Sequence, residues 1–472
     1  MRRTRDPQMS FILVELESQG IRLEATLQAV SDFLDEHGQL LSLVTKDLVR
    51  GLKNPGRGRE GLNAERVLRA FVLQRVKNWD LRELRERIAD GYTLRNFTRF
   101  RGDEVPKHDA FHRAFTRLTA ATVEKLNEAV VKAATKAGLV DSTRLRVDTT
   151  LVETDIHFPT DASLLWDSVR VVSRLVGRVK KLAPIATRGF NNRTRVARRR
   201  AQEISRFSQK DSEPKRKERY RELIKVTETV VAKARTVVER AREIELPGLM
   251  DDLALGALCQ KVERFCELAG RVLQQTRRRV LKGEKVPADE KLVSIFEDHT
   301  DIVVRGKARK PAEFGHKVFL AQSGSKIITD YAILDGNPPD EHRVGPTLKK
   351  HEKQFGAAPE LFAADRGFYS AATIGLCEEA GVESACIPQR GGNKTEERVA
   401  EEKTPEFKGG QKFRAGIEGT ISGLLRGRGM RRCMVEGRER FEVFVGAVVL
   451  AYNLLVIAEL LAAKKSRRRK RA

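Results

Sequence analysis

The sequence has few cysteines and lacks the patterns that mark a disulfide framework or a zinc finger. There are five, an odd number, with no CxxC pair and no His/Cys cluster at zinc spacing. They are Cys259, Cys266, Cys377, Cys386 and Cys433. Because unpaired cysteine usually packs as a small apolar side chain, we expect five buried thiols.

A signal peptide is also missing, and long apolar runs are scarce. The apolar stretch after the first basic residues is short and is interrupted by Glu15 and Glu17, so we expect a cytoplasmic protein. Residues 443–462 approach the length that spans a bilayer, but Asn453 and Glu459 interrupt them and no second such segment exists. A buried core helix is therefore expected, and no membrane partner.

Acidic residues are outnumbered by basic ones. Lysine and arginine total 90 against 65 aspartate and glutamate, which gives a net charge of +25 and a pI near 10.0. Such an excess indicates a polyanionic partner and favours nucleic acid over an anionic membrane. The length of 472 residues predicts two or three domains.

Helical periodicity dominates up to about residue 140. Asn63 and Asp80 each precede an amphipathic run as predicted N-caps, and Gly91 is a predicted stop. Five arginines are expected on the outer faces of this helical module, namely Arg95, Arg99, Arg101, Arg113 and Arg117. They are consistent either with a helix-turn-helix-like DNA-binding role or with an ordinary solvated face.

The period then changes and defines the predicted division of the chain. "TRLRVDTTLVET" reads as a strand, helices with basic runs continue to about residue 285, and strands resume near residue 301. We predict a helical module at 1–140 and a sheet from 141–159 and 301–462. A helical insertion at 160–300 interrupts that sheet, and a disordered basic tail follows at 463–472. The insertion is consistent with gripping DNA phosphates or with mediating dimerisation.

Three carboxylates stand at positions that call for an explanation. Asp148 lies in the middle of a strand, where aspartate is disfavoured, and Asp365 ends a short strand before a helix that Ser370 caps. Glu418 lies four residues after Arg414 on a predicted helix. Asp365 is also explained as a turn former, and the Arg414–Glu418 pair as a plain surface ion pair.

If these three acids converge, they offer a site for two divalent cations. Mg²⁺ and Mn²⁺ prefer oxygen ligands, and a pair of such ions drives in-line phosphodiester displacement. Other acids compete for the second position, but turn duty is the expected role of Asp335 and Asp340. Glu153 faces away from Asp148 on a regular strand, because their separation is odd.

Histidine and tryptophan add little to this site. His108, His112, His157 and His316 do not form a metal-ligand set by their spacing. Trp166 opens the insertion and is explained either by stacking on a flipped base or by helix packing.

Several segments together resemble one known family. They are "LRVDTTLVETDIHFPTDASLLWDSVRVV", "EFGHKVFLAQSGSKIITDYAILDGNPPDEH", "FAADRGFYS" and "FRAGIEGTISGLLRGRGMRRC". The chain resembles the DDE transposases of bacterial insertion sequences, closest to the ISNCY group. "LNAERVLRAFVLQRVKNWDLRELRERI" is similar to their helical N-terminal domain. The resemblance implies an α/β fold, with an RNase H-like catalytic core interrupted by the long helical insertion and preceded by an all-helical N-terminal DNA-binding domain.

The resemblance also implies roles for individual residues. Asp148, Asp365 and Glu418 would be the catalytic acids and the metal ligands. Relatives carry a Tyr, Arg, Glu and Lys signature around the last acid, whereas Gln411 and Leu425 stand here at the tyrosine and lysine positions. The residues expected to contact DNA are Arg414, Arg426, Lys317 and Arg366.

The implied reaction is hydrolysis of a phosphodiester at the element's ends, followed by attack of the freed 3′-hydroxyl on target DNA. The implied cofactor is Mg²⁺ or Mn²⁺, as two ions. The implied partners are double-stranded DNA, both terminal inverted repeats and target, and a second copy in a homodimer on nucleoid DNA. Two alternatives stay open, a catalytically silent DNA-binding descendant and a metal-dependent nuclease without strand transfer.

Overall fold

The structure, a computed structural model, describes residues 18–56, 61–207, 213–304 and 312–471, with side chains up to Arg467. The first 17 residues, on which the expectation of a missing signal peptide rests, lie outside these ranges. The chain forms two compact units. The first comprises Met1–Glu153 and His316–Ala472, and the second comprises Thr154–Gly315. The sequence pattern had set the helical insertion at 160–300.

The N-terminal part of the first unit is helical. Its helices in the described residues are α1 (Ala25–Glu36), α2 (Leu40–Val49), α3 (Ala64–Lys77), α4 (Leu81–Asp90), α5 (Tyr92–Phe97), α6 (His108–Arg117) and α7 (Ala120–Lys136). Asn63 caps α3 by accepting from the Arg66 amide at 2.8 Å. Asp80 caps α4 by accepting from the amides of Arg82 and Glu83. Both predicted caps are confirmed.

The expectation that five arginines face outward is wrong for four of them. Only Arg113 is exposed, whereas Arg95, Arg99, Arg101 and Arg117 are partly buried. Arg99 ion-pairs with Asp35 at 2.5 Å and with Glu65 at 3.2 Å. Arg95 and Arg117 donate to backbone carbonyls. Arginine can serve internal acceptors in this way because its five N–H groups form a rigid fork.

The sheet follows the helical part. Its strands are β1 (Arg144–Thr154), β2 (Asp301–Val303), β3 (Glu313–Ser323), β4 (Ile328–Ile333), β5 (Leu361–Ala363), β6 (Ser384–Cys386) and β7 (Arg432–Cys433). Along the sheet the order is β2-β3-β1-β5-β6, with β4 paired to β3 and β7 to β1. β3 and β4 form an antiparallel hairpin. β5 lies parallel between β1 and β6.

Helices cover both faces of the sheet in the first unit. They are α12 (Val344–Phe355), α13 (Ala371–Glu379), α14 (Glu396–Lys403), α15 (Pro405–Ser422) and α16 (Arg438–Arg471). Leu145 and Val147 of β1 share a core with α12 and α13. Val152, on the opposite face, shares a core with Ile417 of α15 and with α16. Asp148 is an even number of residues from Val152, so it points toward α15.

α16 is the one described helix long and apolar enough to span a membrane, and 83% of its apolar window is buried inside the protein. Its Asn453 is fully buried and pairs with both backbone groups of Ile328, each at 2.9 Å. This agrees with the prediction of a core helix. The helix continues to Arg471, so the prediction of a disordered tail is wrong for residues 463–471.

The second unit is largely helical. Its long helices are α8 (Asp161–Leu182), α9 (Thr194–Arg206), α10 (Glu213–Arg242) and α11 (Leu249–Thr276). They pack around one apolar core, with Trp166 partly buried against it. All five cysteines of the chain are buried, as predicted.

Candidate active site

Asp148 is a buried carboxylate on the central strand β1, with 8% of the residue exposed. Its Oδ1 accepts a hydrogen bond from the Thr149 amide at 2.7 Å. Burial raises the pKa of Asp148 to about 6, and the nearby charges of Asp365 and Asp340 add to the rise. The Arg414 guanidinium opposes it. The protein thus holds this carboxylate where a cation is needed to stabilise its charge.

Asp365 lies two residues past the end of β5. Because β5 runs parallel beside β1, residues past its carboxyl end lie near the same edge of the sheet as the middle of the longer β1. Asp365 also accepts from the Gly367 amide at 2.8 Å and caps the short turn Arg366–Phe368. The turn-forming explanation is therefore correct, and the same residue still reaches the candidate site.

Arg414 on α15 joins all three predicted acids. Its Nη2 lies 2.9 Å from Oδ2 of Asp148 and 3.6 Å from Oδ2 of Asp365. Its Nη1 lies 2.8 Å from Oε1 of Glu418, one helical turn further along. The side chain of Glu418 is 65% exposed, whereas that of Arg414 is only 17% exposed. The structure thus brings together a strand, a loop and a helix at one guanidinium.

Close packing of α15 on the sheet fixes this arrangement, which no pattern in the sequence indicated. Gln411 Nε2 donates to the carbonyls of Ala364 and Cys386, at 3.1 Å and 2.6 Å. A Cβ added at Gly410 would lie 2.2 Å from the Cys386 sulfur. Gln411, which departs from the family signature, here ties the helix to the ends of β5 and β6.

Asp340 is the acid that the sequence interpretation underrated. It opens the short helix Asp340–Arg343, and its Oδ1 lies 2.8 Å from Nζ of Lys317. A Cβ at Gly367 would lie 3.1 Å from Oδ2 of Asp340 and 2.9 Å from Oδ1 of Asp365. Asp340 therefore borders the Asp365 turn. The available signal was its spacing after the Asp-Gly and Pro-Pro pairs, which also fits an ordinary turn.

Lys317 is 7% exposed and also donates to the Pro338 carbonyl at 2.9 Å. Its ammonium is thus engaged inside the protein, and a contact with DNA phosphate stays a prediction. Arg366 and Arg426 are exposed, and their roles in DNA binding also stay predictions.

The remaining candidate acids pair elsewhere. Glu153 forms an ion pair with Arg432 of β7 at 2.9 Å, consistent with its pointing away from Asp148. Asp330 lies 2.7 Å from Lys350. Asp335 is largely exposed and pairs with Arg438 at 2.8 Å.

The three acids suit a hard divalent cation in their chemistry. All offer carboxylate oxygens, and they already surround one cation, the Arg414 guanidinium. Within the ranges that the structure describes, no three His, Cys, Asp or Glu side chains lie close enough to hold a metal ion as they stand. A metal ion at these acids would have to replace the Arg414 guanidinium.

Two family models match the chain. The model described as "Transposase DDE domain" matches residues 289–454, which include Asp365 and Glu418 but not Asp148. The model described as "Transposase domain (DUF772)" matches residues 18–117, within the N-terminal helices. No curated protein and no solved structure matches the chain.

Proposed function

The chain belongs to the DDE transposases of insertion sequences, and we propose that it cuts the ends of its element and joins them to target DNA at Asp148, Asp365 and Glu418. The observation that carries the proposal is the convergence of these three acids on Arg414. Asp148 lies outside the matched region, so its assignment depends on this geometry.

The family acts through divalent metal ions, and we assign the three acids as the ligands of two Mg²⁺ or Mn²⁺ ions. When bound, such ions activate the attacking water or 3′-hydroxyl and stabilise the leaving oxygen. Asp148 is held for this role by the Thr149 amide, and Asp365 by the Gly367 amide. Once released from the acids, Arg414 offers a planar fork that suits a DNA phosphate.

We also assign roles to the larger parts of the chain from the family to which it belongs. The RNase H-like core is assigned to 141–159 and 301–462, the DNA-binding domain to 1–140 and the insertion to 160–300. The net charge of +25 favours long-range attraction of the DNA substrate. Exposed Arg366 and Arg426 are assigned to phosphate contacts, and two copies acting on two ends imply a dimer on nucleoid DNA in the cytoplasm.

The test is a cleavage and strand-transfer assay on DNA that carries the ends of the element, with Mg²⁺ or Mn²⁺. Asp148→Asn, Asp365→Asn and Glu418→Gln keep side-chain size and remove one charge each. Glu153→Gln is the matched control, since it lies on the same strand and pairs with Arg432. We expect losses of at least a hundredfold for the three site variants, near wild-type activity for the control, and unchanged DNA affinity within a fewfold.

Other outcomes separate the alternatives. Cleavage without joining by the wild-type chain would identify a nuclease, and specific binding with no cleavage would identify a silent DNA-binding descendant. Site variants that cut as fast as wild type would show that the acids are assigned wrongly.

A further inference from the structure

The first unit contains a concave site apart from the candidate active site. A cavity of ≈ 990 Å³ lies between α3, α6, α16 and the loop before α16, and none of the three candidate catalytic acids lines it. Its apolar lining includes Trp79, Phe71, Phe115 and Phe444. This volume is at the upper end of the range in which proteins bind small ligands, and an aromatic lining suits a flat apolar group.

The charge of the lining is predominantly positive. Arg75, Arg82, Arg432 and Arg440 line the cavity, against Asp80 and Glu436. Of these arginines, Arg432 is neutralised by Glu153. Arg440 instead donates to the backbone carbonyls of Leu118 and Thr116 and keeps its full charge. An anion is therefore the ligand that this lining favours.

Arg75 is the lining residue that most clearly lacks a negatively charged partner in the described part of the chain. Its guanidinium lies 4.9 Å from the centre of the Phe444 ring and donates to Oε1 of Gln74 at 3.2 Å. Its Nε is fully buried without a hydrogen-bond partner, and among the described residues no carboxylate lies within ion-pair distance. Burial lowers its pKa to about 10, so it is still charged at pH 7. A largely desolvated cation without a carboxylate is costly, and a ligand anion would offset that cost.

The rim points to a ligand with an apolar part as well. Met434 is 68% exposed and Val435 is 42% exposed, and both line the cavity. A nucleotide combines these two features, because its base is a flat aromatic group and its phosphate is an anion. Bases stack on aromatic side chains whatever their sequence, and arginine binds phosphate through its planar fork.

We propose that this cavity binds one nucleotide of an unpaired DNA strand, with the base against Trp79 and the phosphate at Arg75. That the nucleotide belongs to DNA rests on the proposed function. The strand must be unpaired because a base inside a duplex cannot enter the cavity without leaving its stack.

The chain offers a direct optical probe of this site. It has two tryptophans, Trp79 at the cavity and Trp166 in the other unit, so Trp166→Phe leaves Trp79 as the only tryptophan emitter. A six-nucleotide single strand, a blunt duplex, free dAMP and inorganic phosphate are titrated against the full-length variant. We expect the single strand to quench the emission with an affinity that falls with salt, and the duplex to bind without quenching.

Variants of Arg75 separate a ligand site from a structural role. Arg75→Met keeps the apolar stem against Phe444 and removes the charge, while Arg75→Lys keeps the charge. Arg87→Gln is the control, because the Arg87 guanidinium lies 5.9 Å from the Trp79 ring but Arg87 does not line the cavity. We expect at least tenfold weaker single-strand binding for Arg75→Met, partial retention for Arg75→Lys and no change for Arg87→Gln. The melting temperature of Arg75→Met should be unchanged or higher.

Two results would overturn the inference. One is the absence of any quenching by single strands, even where the chain cleaves DNA ends. The other is a lower melting temperature of Arg75→Met with unchanged quenching, which would make Arg75 structural. Quenching by dAMP but not by the single strand would replace the DNA source by a free nucleotide. Loss of cleavage in the catalytic-acid variants leaves this readout untouched, so failure of the proposed function and failure of this inference are distinguishable.

Discussion

Arg414 has two opposing effects, because a guanidinium that forms ion pairs with three carboxylates would also compete with a metal ion for them. Its ion pairs to Asp148 and Glu418, at 2.9 Å and 2.8 Å, are short. The Asp148 pair is also largely buried, so solvent screens it less than a surface pair. The DNA-free chain should therefore bind metal ions weakly, and DNA phosphates that attract Arg414 should strengthen metal binding.

The Arg414→Gln variant tests this competition. In DNA-free protein at pH 8 we expect the affinity for Mn²⁺ to rise by about tenfold, which corresponds to roughly 1.4 kcal/mol. Cleavage should fall in the same variant, since the phosphate contact is lost. Electron paramagnetic resonance of free Mn²⁺ gives the affinity without any reaction. Arg432→Gln, which removes the partner of Glu153, is the control, and a weaker affinity in Arg414→Gln would contradict the competition.

His351 sets a pH limit on the stability of the first unit. It is buried on α12, and its Nε2 donates to the Ser142 carbonyl at 3.0 Å. Its Nδ1 is buried without a partner. Burial lowers the pKa of His351 below its ordinary value, with the Ser142 hydrogen bond opposing the shift.

The sign of the effect follows from linkage. As pH falls through about 6.5, the His351 side chain takes up a proton in the unfolded chain before it does so in the folded chain. The contribution of His351 to the free energy of unfolding should therefore be constant above that pH and fall below it. Urea unfolding between pH 8 and pH 5 measures this. We expect His351→Gln to lose less stability on acidification than wild type. His342→Gln, at an exposed position, should behave as wild type, and equal slopes in all three proteins would refute the assignment.

Among the elements, α15 requires the tightest packing. Gly410 faces Cys386 of β6 so closely that a methyl group would lie 2.2 Å from its sulfur, whereas the neighbouring Gly409 has open space. The two glycines of one helix therefore predict opposite effects of the same substitution.

Gly410→Ala should lower the free energy of unfolding by about 1–3 kcal/mol, as overpacking does, and should reduce cleavage because α15 carries Arg414 and Glu418. Gly409→Ala should raise the free energy of unfolding by up to about 1 kcal/mol, since alanine favours the helix. Urea unfolding and the cleavage assay together decide. Equal effects of the two substitutions would mean that α15 is not held against β6.

Local signals in the sequence predicted many elements correctly. The caps at Asn63 and Asp80 and the switch to β1 follow from short-range chemistry. What the sequence did not reveal depends on tertiary partners. The inward arginines need acceptors such as Asp35, distant in sequence, and Gln411 reaches the carbonyls of Ala364 and Cys386 only after the sheet has formed. Asp148 stood out because aspartate is disfavoured inside a strand, and the roles of Asp365 and Glu418 were implied by the family resemblance. Asp340 was underrated because its position matches an ordinary turn.

At the scale of the whole molecule, the net charge of +25 makes DNA binding steeply dependent on salt. The basic segment at the end of α16 contributes seven charges, from Lys464, Lys465, Arg467, Arg468, Arg469, Lys470 and Arg471. Replacing all seven by glutamine should reduce the slope of log K against log salt by several units, at about 0.9 per phosphate contact in duplex DNA. Fluorescence anisotropy between 50 and 300 mM salt, over which the Debye length shortens, measures the slope. An unchanged slope would show that this segment does not contact DNA.

α16 also has a consequence for how the protein is made. Its Ala447, Leu450 and Leu454 belong to the same apolar core as Leu68 of α3 and Val130 of α7. On the ribosome, α7 emerges some 300 residues before α16, so at 5–20 residues per second the first helices wait roughly 15–60 s for their last partner. During that interval their apolar faces are uncovered. A chain interrupted before α16 should therefore be a target of chaperones and proteases from its first helix onward, and not only at its broken end.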